Sequence, residues 1–244
     1  MGISIQPLGD SGIKVQFQKE VSPELNREIQ YFCQKLTLRP IEGVSEWVPA
    51  YDSVAIYYDF RIILYQDIKE KIEELHAWEF EGKTNSARLI HVPVVYGGEY
   101  GPDLKRVGEY HNHSIHDVIK MHQEPVYLVY MLGFLPGFPY LGGMINSIAA
   151  PRLETPRDKI AAGSVGIADQ QTGIYPLESP GGWNIIGRTP LQLFDKDKEA
   201  AFLFRAGDSI KFNAVTNQEY EQICRDIEKG IYEIDVESMD GESR

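Results

Sequence analysis

The stretch GFLPGFPYLGGM, residues 133–144, holds four glycines, two prolines and three aromatic rings, and it carries no charge. Proline fixes the backbone and glycine lets it approach a neighbour closely, so such a segment is stiff without bulk and does not continue a helix. The residues around it follow suit. From Val126 to Phe212 the chain reads as short apolar runs punctuated by Gly and Pro, with no long helix. That spacing predicts a β-barrel or sandwich. Three more stretches share the chemistry: VPVVYGGEYGPDL (92–104), PRLETPRDKIAAGSVGIADQQTGIYP (151–176) and ESPGGWNIIGRTP (178–190).

The flanks read differently. Upstream, the runs ISIQPLG and GIKVQFQ meet at Gly9-Asp10-Ser11-Gly12, a hairpin signature. Ser22 and Pro23 then open a helix whose apolar positions Leu25, Ile29, Phe32, Cys33 and Leu36 share one face. Two strands, VSEWVPAY and SVAIYYD, and a helix from about Asp67 to Trp78 complete a ββαββα order, an α+β domain over residues 1–82. EGKTNSAR, residues 81–88, is polar and breaks the periodicity, so it reads as a linker. The mainly β domain is expected over 83–230, with short helices near Asp103–Tyr110 and Ser114–Met121 and a last one from Thr216 to Glu228. Ser114 and Asp117 have capping-box spacing. Residues 231–244 read as a loose acidic tail.

Bulk properties narrow the function classes. A net charge of -12 over 244 residues argues against nucleic-acid binding, which needs a basic stripe. No basic-then-apolar leader and no run of about 20 apolar residues is visible, so a cytoplasmic protein without membrane association is expected. Cys33 and Cys224 lack metal-ligand spacing and read as reduced thiols. His111, His113, His116 and His122 cluster, but His116 and His122 fall on different sides of one helix, and no metal site is expected from them.

Two apparent catalytic motifs fail. Gly9-Asp10-Ser11-Gly12 resembles a protease nucleophile loop, yet no His or Asp partner precedes it in the order such enzymes use. Gly82-Lys83-Thr84 ends like a P-loop, but the required earlier glycine is Ala77. The site candidates lie in the Gly/Pro-rich stretches. Arg152, Arg157 and Arg188 offer planar donor forks suited to carboxylate or phosphate. Gln171, Thr172, Tyr175, Ser179 and Asn184 add neutral donors and acceptors. For each of these the competing reading is an ordinary loop hydrogen bond, and for the set, a tightly wound barrel whose turns need Gly and Pro.

VPVVYGGEYGPDL, VYMLGFLPGFPYLGGM, AAGSVGIADQQTGIYPLESPGGWNIIGRTPLQLF and RAGDSIKF, with LGDSGIKVQF near the start, together resemble the allophanate hydrolase subunit 1 family. That family includes the B subunit of bacterial 5-oxoprolinase and a sporulation kinase inhibitor. The resemblance implies a small N-terminal α/β domain followed by a cyclophilin-like barrel. It places His122, Phe134, Pro136, Phe138, Tyr140, Arg157, Gln171, Tyr175, Ser179, Trp183 and Arg188 around the barrel's groove, with Phe134 expected in the core. It also implies an ATP-dependent 5-oxoprolinase active only with its A and C subunits, ATP being bound by the assembly. Two alternatives share the motifs: inhibition of a sensor histidine kinase through a proline-containing segment, and carboxyl transfer to urea or allophanate.

Overall fold

The computed structural model describes residues 2–79 and 88–238. Residues 81–87 of the linker read at 81–88, the Gly82-Lys83-Thr84 motif, the expected boundary after residue 82 and the last residues of the tail lie outside the described residues; Arg88, read as the linker's last residue, instead opens a strand. The chain divides into two compact units, with the division after Ser86.

In the first unit, β1 (Ile3–Pro7) and β2 (Gly12–Phe17) form the expected hairpin, followed by α1 (Pro23–Leu38), β3 (Val44–Pro49), β4 (Ser53–Tyr58) and α2 (Tyr65–Ala77). The antiparallel sheet runs β1-β2-β4-β3. Strand alternation sends Ile13, Val15 and Phe17 of β2 and Val54, Ile56 and Tyr58 of β4 to one face. The apolar faces of α1 and α2 cover that face, with Leu25, Ile29, Phe32 and Leu36 meeting Ile68, Ile72 and Leu75 in one cluster. Ser22 caps α1 by accepting from the Leu25 N–H, and Pro23 occupies the first turn, where no donor is needed. Cys33 lies in this core, and burial pushes its thiol up to about 12, so it stays protonated.

The second unit begins with β5 (Arg88–Tyr96), then α3 (Leu104–His111), α4 (Ile115–Gln123), β6 (Tyr127–Leu132), β7 (Pro139–Gly142), a 3-10 turn at Asn146–Ile148, β8 (Arg157–Ile160), β9 (Ser164–Ala168), β10 (Gln171–Ile174), β11 (Ser179–Gly181), β12 (Asn184–Arg188), β13 (Ser209–Val215), α5 (Asn217–Glu228) and β14 (Val236–Ser238). Seven strands close a ring in the order β12-β9-β10-β7-β6-β13-β5, completed by β12 pairing with β5. All pairs are antiparallel except β13 with β5. Ile90, Val92 and Val94 point inward from β5 and pack with Tyr127, Val129, Val165, Ile167, Ile186, Ile210 and Phe212. Leu104 and Val107 of α3 and Val118 of α4 enter the same core. The Ser114–Asp117 capping box is present, with both reciprocal hydrogen bonds. Strand β14 lies in the segment read as a loose tail; it pairs with β5 outside the ring. No helix of the described residues is long and apolar enough to cross a membrane.

A second, smaller core lies on the other side of β9 and β12. Alternation sends Ile186 into the barrel core while Ile185 joins Phe138, Ile160, Ala168, Tyr175 and Trp183 in this second cluster. The paired strands β8 and β11 contribute Ile160 to it. Double-sided burial explains why β9 has no exposed position. The loop after β5 is fastened to β12 by main-chain bonds, Gly97 N–H to Ile186 O at 3.0 Å and Asp103 N–H to Ile185 O at 2.9 Å. Gly101 makes that contact possible, because a Cβ there would stand 2.0 Å from the Ile186 carbonyl oxygen. Gly101→Ala is therefore expected to cost about 2–3 kcal/mol of stability, read as a lowered urea midpoint with an unchanged slope.

Candidate functional site

The segment 133–138 is the turn joining β6 to β7. Gly133 N–H bonds to Phe138 O at 3.1 Å and Phe138 N–H to Leu135 O at 3.0 Å. Phe134 (φ 68°) and Gly137 (φ 83°) take the left-handed backbone that this tight turn demands. The consequence corrects the sequence reading: Phe134 is not core but 68% exposed, whereas Phe138 is buried. A residue in left-handed conformation within the turn throws its ring outward, and the next ring returns inward as β7 begins. Phe138 then sits at the centre of an edge-to-face cluster, its ring 5.3 Å from Tyr140, 5.4 Å from Tyr175, 5.5 Å from Trp183 and 5.8 Å from Phe134. Such geometry matches positive ring edges to negative faces. Gly173 of β10 gives the rings their seat, since a Cβ there would lie 3.1 Å from both Phe138 and Trp183. Tyr175 and Trp183 are buried, Tyr140 is half-buried and Pro136 is exposed at the turn.

The polar candidates separate into different environments. Burial raises the Tyr175 hydroxyl to about 12 despite the opposing charges of Arg152 and Arg157, so it is a neutral group. Arg157 donates from Nη2 to Asp103 Oδ1 at 2.7 Å, and Asp103 Oδ2 accepts the Ile185 N–H at 2.7 Å. Its guanidinium is thus committed to bracing the loop after β5 against β12. Arg152 is largely exposed and lies 3.7 Å from Asp169. Gln171 is half-buried on β10. Ser179 is buried on β11, and its hydroxyl has no hydrogen-bond partner among the described residues.

His122 and Thr172 lie inside the unit, both fully buried. The Thr172 hydroxyl donates to Gly166 O at 3.0 Å, so it must accept from His122 Nε2–H at 2.9 Å. That leaves Nδ1 to accept from the Tyr96 hydroxyl at 2.8 Å. Each member of the relay is satisfied, which identifies His122 as a neutral internal linker. Burial depresses its pKa to about 3.

Arg188 stands apart chemically. It ends β12, opposite Val95 of β5. Its guanidinium lies 6.0 Å from the Tyr100 ring, and the Tyr100 ring packs 4.9 Å from Tyr220 of α5. The Tyr220 hydroxyl is raised to about 12, first by burial and then by Cys224, with Arg188 opposing. No carboxylate among the described residues pairs with Arg188, and its Nε is buried without a hydrogen-bond partner. A buried, unanswered donor on a permanent cation is costly and calls for an anion. Tyr100 and Tyr220 escape the sequence reading, and Cys224 is read there only as a reduced thiol. Tyr100 lies within a stretch singled out there, but nothing in one sequence joins that stretch to the last helix.

Comparison with known proteins agrees with this architecture. The carboxyltransferase domain family, subdomain C and D, matches residues 3–204. The B subunit of 5-oxoprolinase from Bacillus subtilis (strain 168) is 40% identical over 226 residues, covering 88% of this chain and 94% of that protein. Among solved structures, a conserved uncharacterized protein from Pyrococcus horikoshii is 44% identical, with TM-score 0.54 over 89% of this chain and 100% of that one. The longer crystallised protein TTHA0988 has TM-score 0.74 and 35% identity over 84% of this chain, which spans 40% of it. The chain belongs to the carboxyltransferase subdomain C and D family, in which its curated relatives include proteins named as the B subunit of 5-oxoprolinase.

Two outcomes test the internal groups. Because the folded pKa of His122 lies below the unfolded value of 6.5, its contribution is complete above pH 6.5 and is lost as pH falls towards 3. The unfolding free energy from urea titration should therefore fall between about pH 7 and about pH 5, by up to roughly 1.4 kcal/mol per pH unit, and fall less in His122→Gln. Asp103→Ala strands Arg157 and the Ile185 N–H, and is expected to cost about 3 kcal/mol, measured by thermal or urea unfolding.

Proposed function

We propose that the chain is the B subunit of an ATP-dependent 5-oxoprolinase, which converts 5-oxoproline, ATP and water to glutamate, ADP and phosphate. The observation that carries the proposal is the 40% identity to the 5-oxoprolinase B subunit of Bacillus subtilis over 94% of that protein. The unanswered guanidinium of Arg188 is consistent with it, because both reactants are anions.

A lactam is a poor electrophile, and ATP supplies the phosphoryl group that converts its oxygen into part of a leaving group. The chain's own part is to hold charge and keep out water. Arg188 would grip one carboxylate or phosphate through two parallel N–H donors, with the neutral Tyr220 hydroxyl beside it. The half-exposed edge of the aromatic cluster, Tyr140 with Phe134, would form an apolar wall. One guanidinium answers one anionic group, not a whole triphosphate, so ATP binding is assigned to the assembly with the A and C subunits, and this chain alone is expected to be inactive.

A second reading has one observation in its favour: Phe134, held outward in a conformation that costs a bulky residue about 1–3 kcal/mol, beside the exposed Pro136. Such a tip suits contact with another protein, as in a cyclophilin-like groove gripping a proline-containing segment of a sensor histidine kinase.

The test is glutamate release from 5-oxoproline and ATP, by the chain alone and with the A and C subunits. Activity only in the assembly is expected, and Arg188→Ala should lower it at least about 100-fold without changing the thermal midpoint. A well-folded but inactive assembly would overturn the 5-oxoprolinase role; inhibition of kinase autophosphorylation by the chain would then support the second reading. Unchanged turnover in Arg188→Ala would remove Arg188 from the site.

A further inference from the structure

Far from these groups in sequence, β14 brings three metal-ligating side chains together. Asp235 meets His91 where the His91 N–H bonds to Asp235 O at 3.0 Å, and Glu237 pairs with Leu89. In an antiparallel pair, opposed residues share a face, and so do residues two apart on one strand. His91, Asp235 and Glu237 therefore project from the same side, opposite the inward Ile90 and Val92. One ligand atom from each lies within 4.8 Å of the other two.

We propose that His91, Asp235 and Glu237 form a site for a divalent transition metal that fastens β14 to β5. His91 Nε2 and Glu237 Oε1 stand 3.0 Å apart. Two ligands on one ion with bonds of about 2.0–2.2 Å are separated by about 2.8–3.6 Å between the octahedral and tetrahedral angles, so the pair already lies within the bite of a chelate. The metal takes the place of the proton now shared between them, and the neutral ring keeps its single proton by carrying it on Nδ1, so binding releases no proton overall. The ring is oriented from behind, with Nδ1 3.1 Å from the Asn213 side-chain amide. Turning that amide over presents its oxygen to Nδ1–H, the tautomer that frees Nε2 for a metal. One imidazole with two carboxylates suits zinc, cobalt or manganese, and the exposure of Asp235 and Glu237 leaves water the remaining positions.

The strand has need of a fastener. None of its three residues is buried, and its pairing with β5 is three residues long. Segments with few buried contacts open at low free energy, so a ligand that binds only the paired state holds them closed.

The experiment uses the full chain, stripped of metal by chelator and titrated with zinc chloride, with magnesium chloride as the contrast. One zinc per chain is expected at micromolar concentration, with slowed hydrogen exchange confined to residues 235–238 and their partners on β5. Glu237→Gln and His91→Ala should each weaken binding at least about tenfold, and Asn213→Leu about tenfold through loss of ring orientation. Glu237 is exposed, so its variant folds and keeps the test decisive. Absence of zinc binding, equal binding of magnesium, binding that survives both ligand variants, or binding without protection of residues 235–238 would each overturn the proposal.

Discussion

The carboxylate of Asp103 joins the inner and outer layers of the second unit. One oxygen accepts the Ile185 N–H of β12 and the other accepts from Arg157 of β8. Strand β12 is where the two cores meet, with Ile186 facing the barrel interior and Ile185 facing the aromatic cluster. A strand buried on both faces has no solvent side on which to place polar groups, so its register must be held by its neighbours' hydrogen bonds. Asp103 supplies that hold from a loop, where an acid would otherwise be unremarkable.

That brace divides the arginines by role. Arg157 is held by Asp103, and Arg152 sits near Asp169. Arg188 has a tyrosine ring near it and, among the described residues, no acid paired with it. Three arginines from Gly/Pro-rich stretches thus differ in availability, and what decides between them is the position of two aspartates. The same separation applies to the neutral candidates: Thr172 is taken up by His122 and Gly166 inside the barrel, while the Ser179 hydroxyl is buried with no partner among the described residues.

Local features are legible where local chemistry sets them. The hairpin at Gly9–Gly12, the Ser22 cap, the apolar face of α1 and the Ser114–Asp117 box each depend on residues a few positions apart, and each is present. The aromatic segment reads as stiff and ring-bearing, and it is. Which ring turns inward is not legible there, because the left-handed backbone at Phe134 comes from the turn's closure against β7 and not from the composition of the turn.

The sequence by itself determined the hairpin, helices and caps of local range, the Gly/Pro-rich stretches that carry the candidate residues, and a family resemblance that the comparisons uphold. Only the tertiary structure decided that β5 closes the ring between β12 and β13, that His122 is an internal linker, that Arg157 is occupied and Arg188 is open, and that β14 returns to β5. The physical reason is one of range. Caps, turns and amphipathic faces are fixed by neighbours along the chain. Ring closure, ion pairing and the joining of Tyr100 to Tyr220 depend on groups tens to more than a hundred positions apart, and no single sequence records which of them will meet.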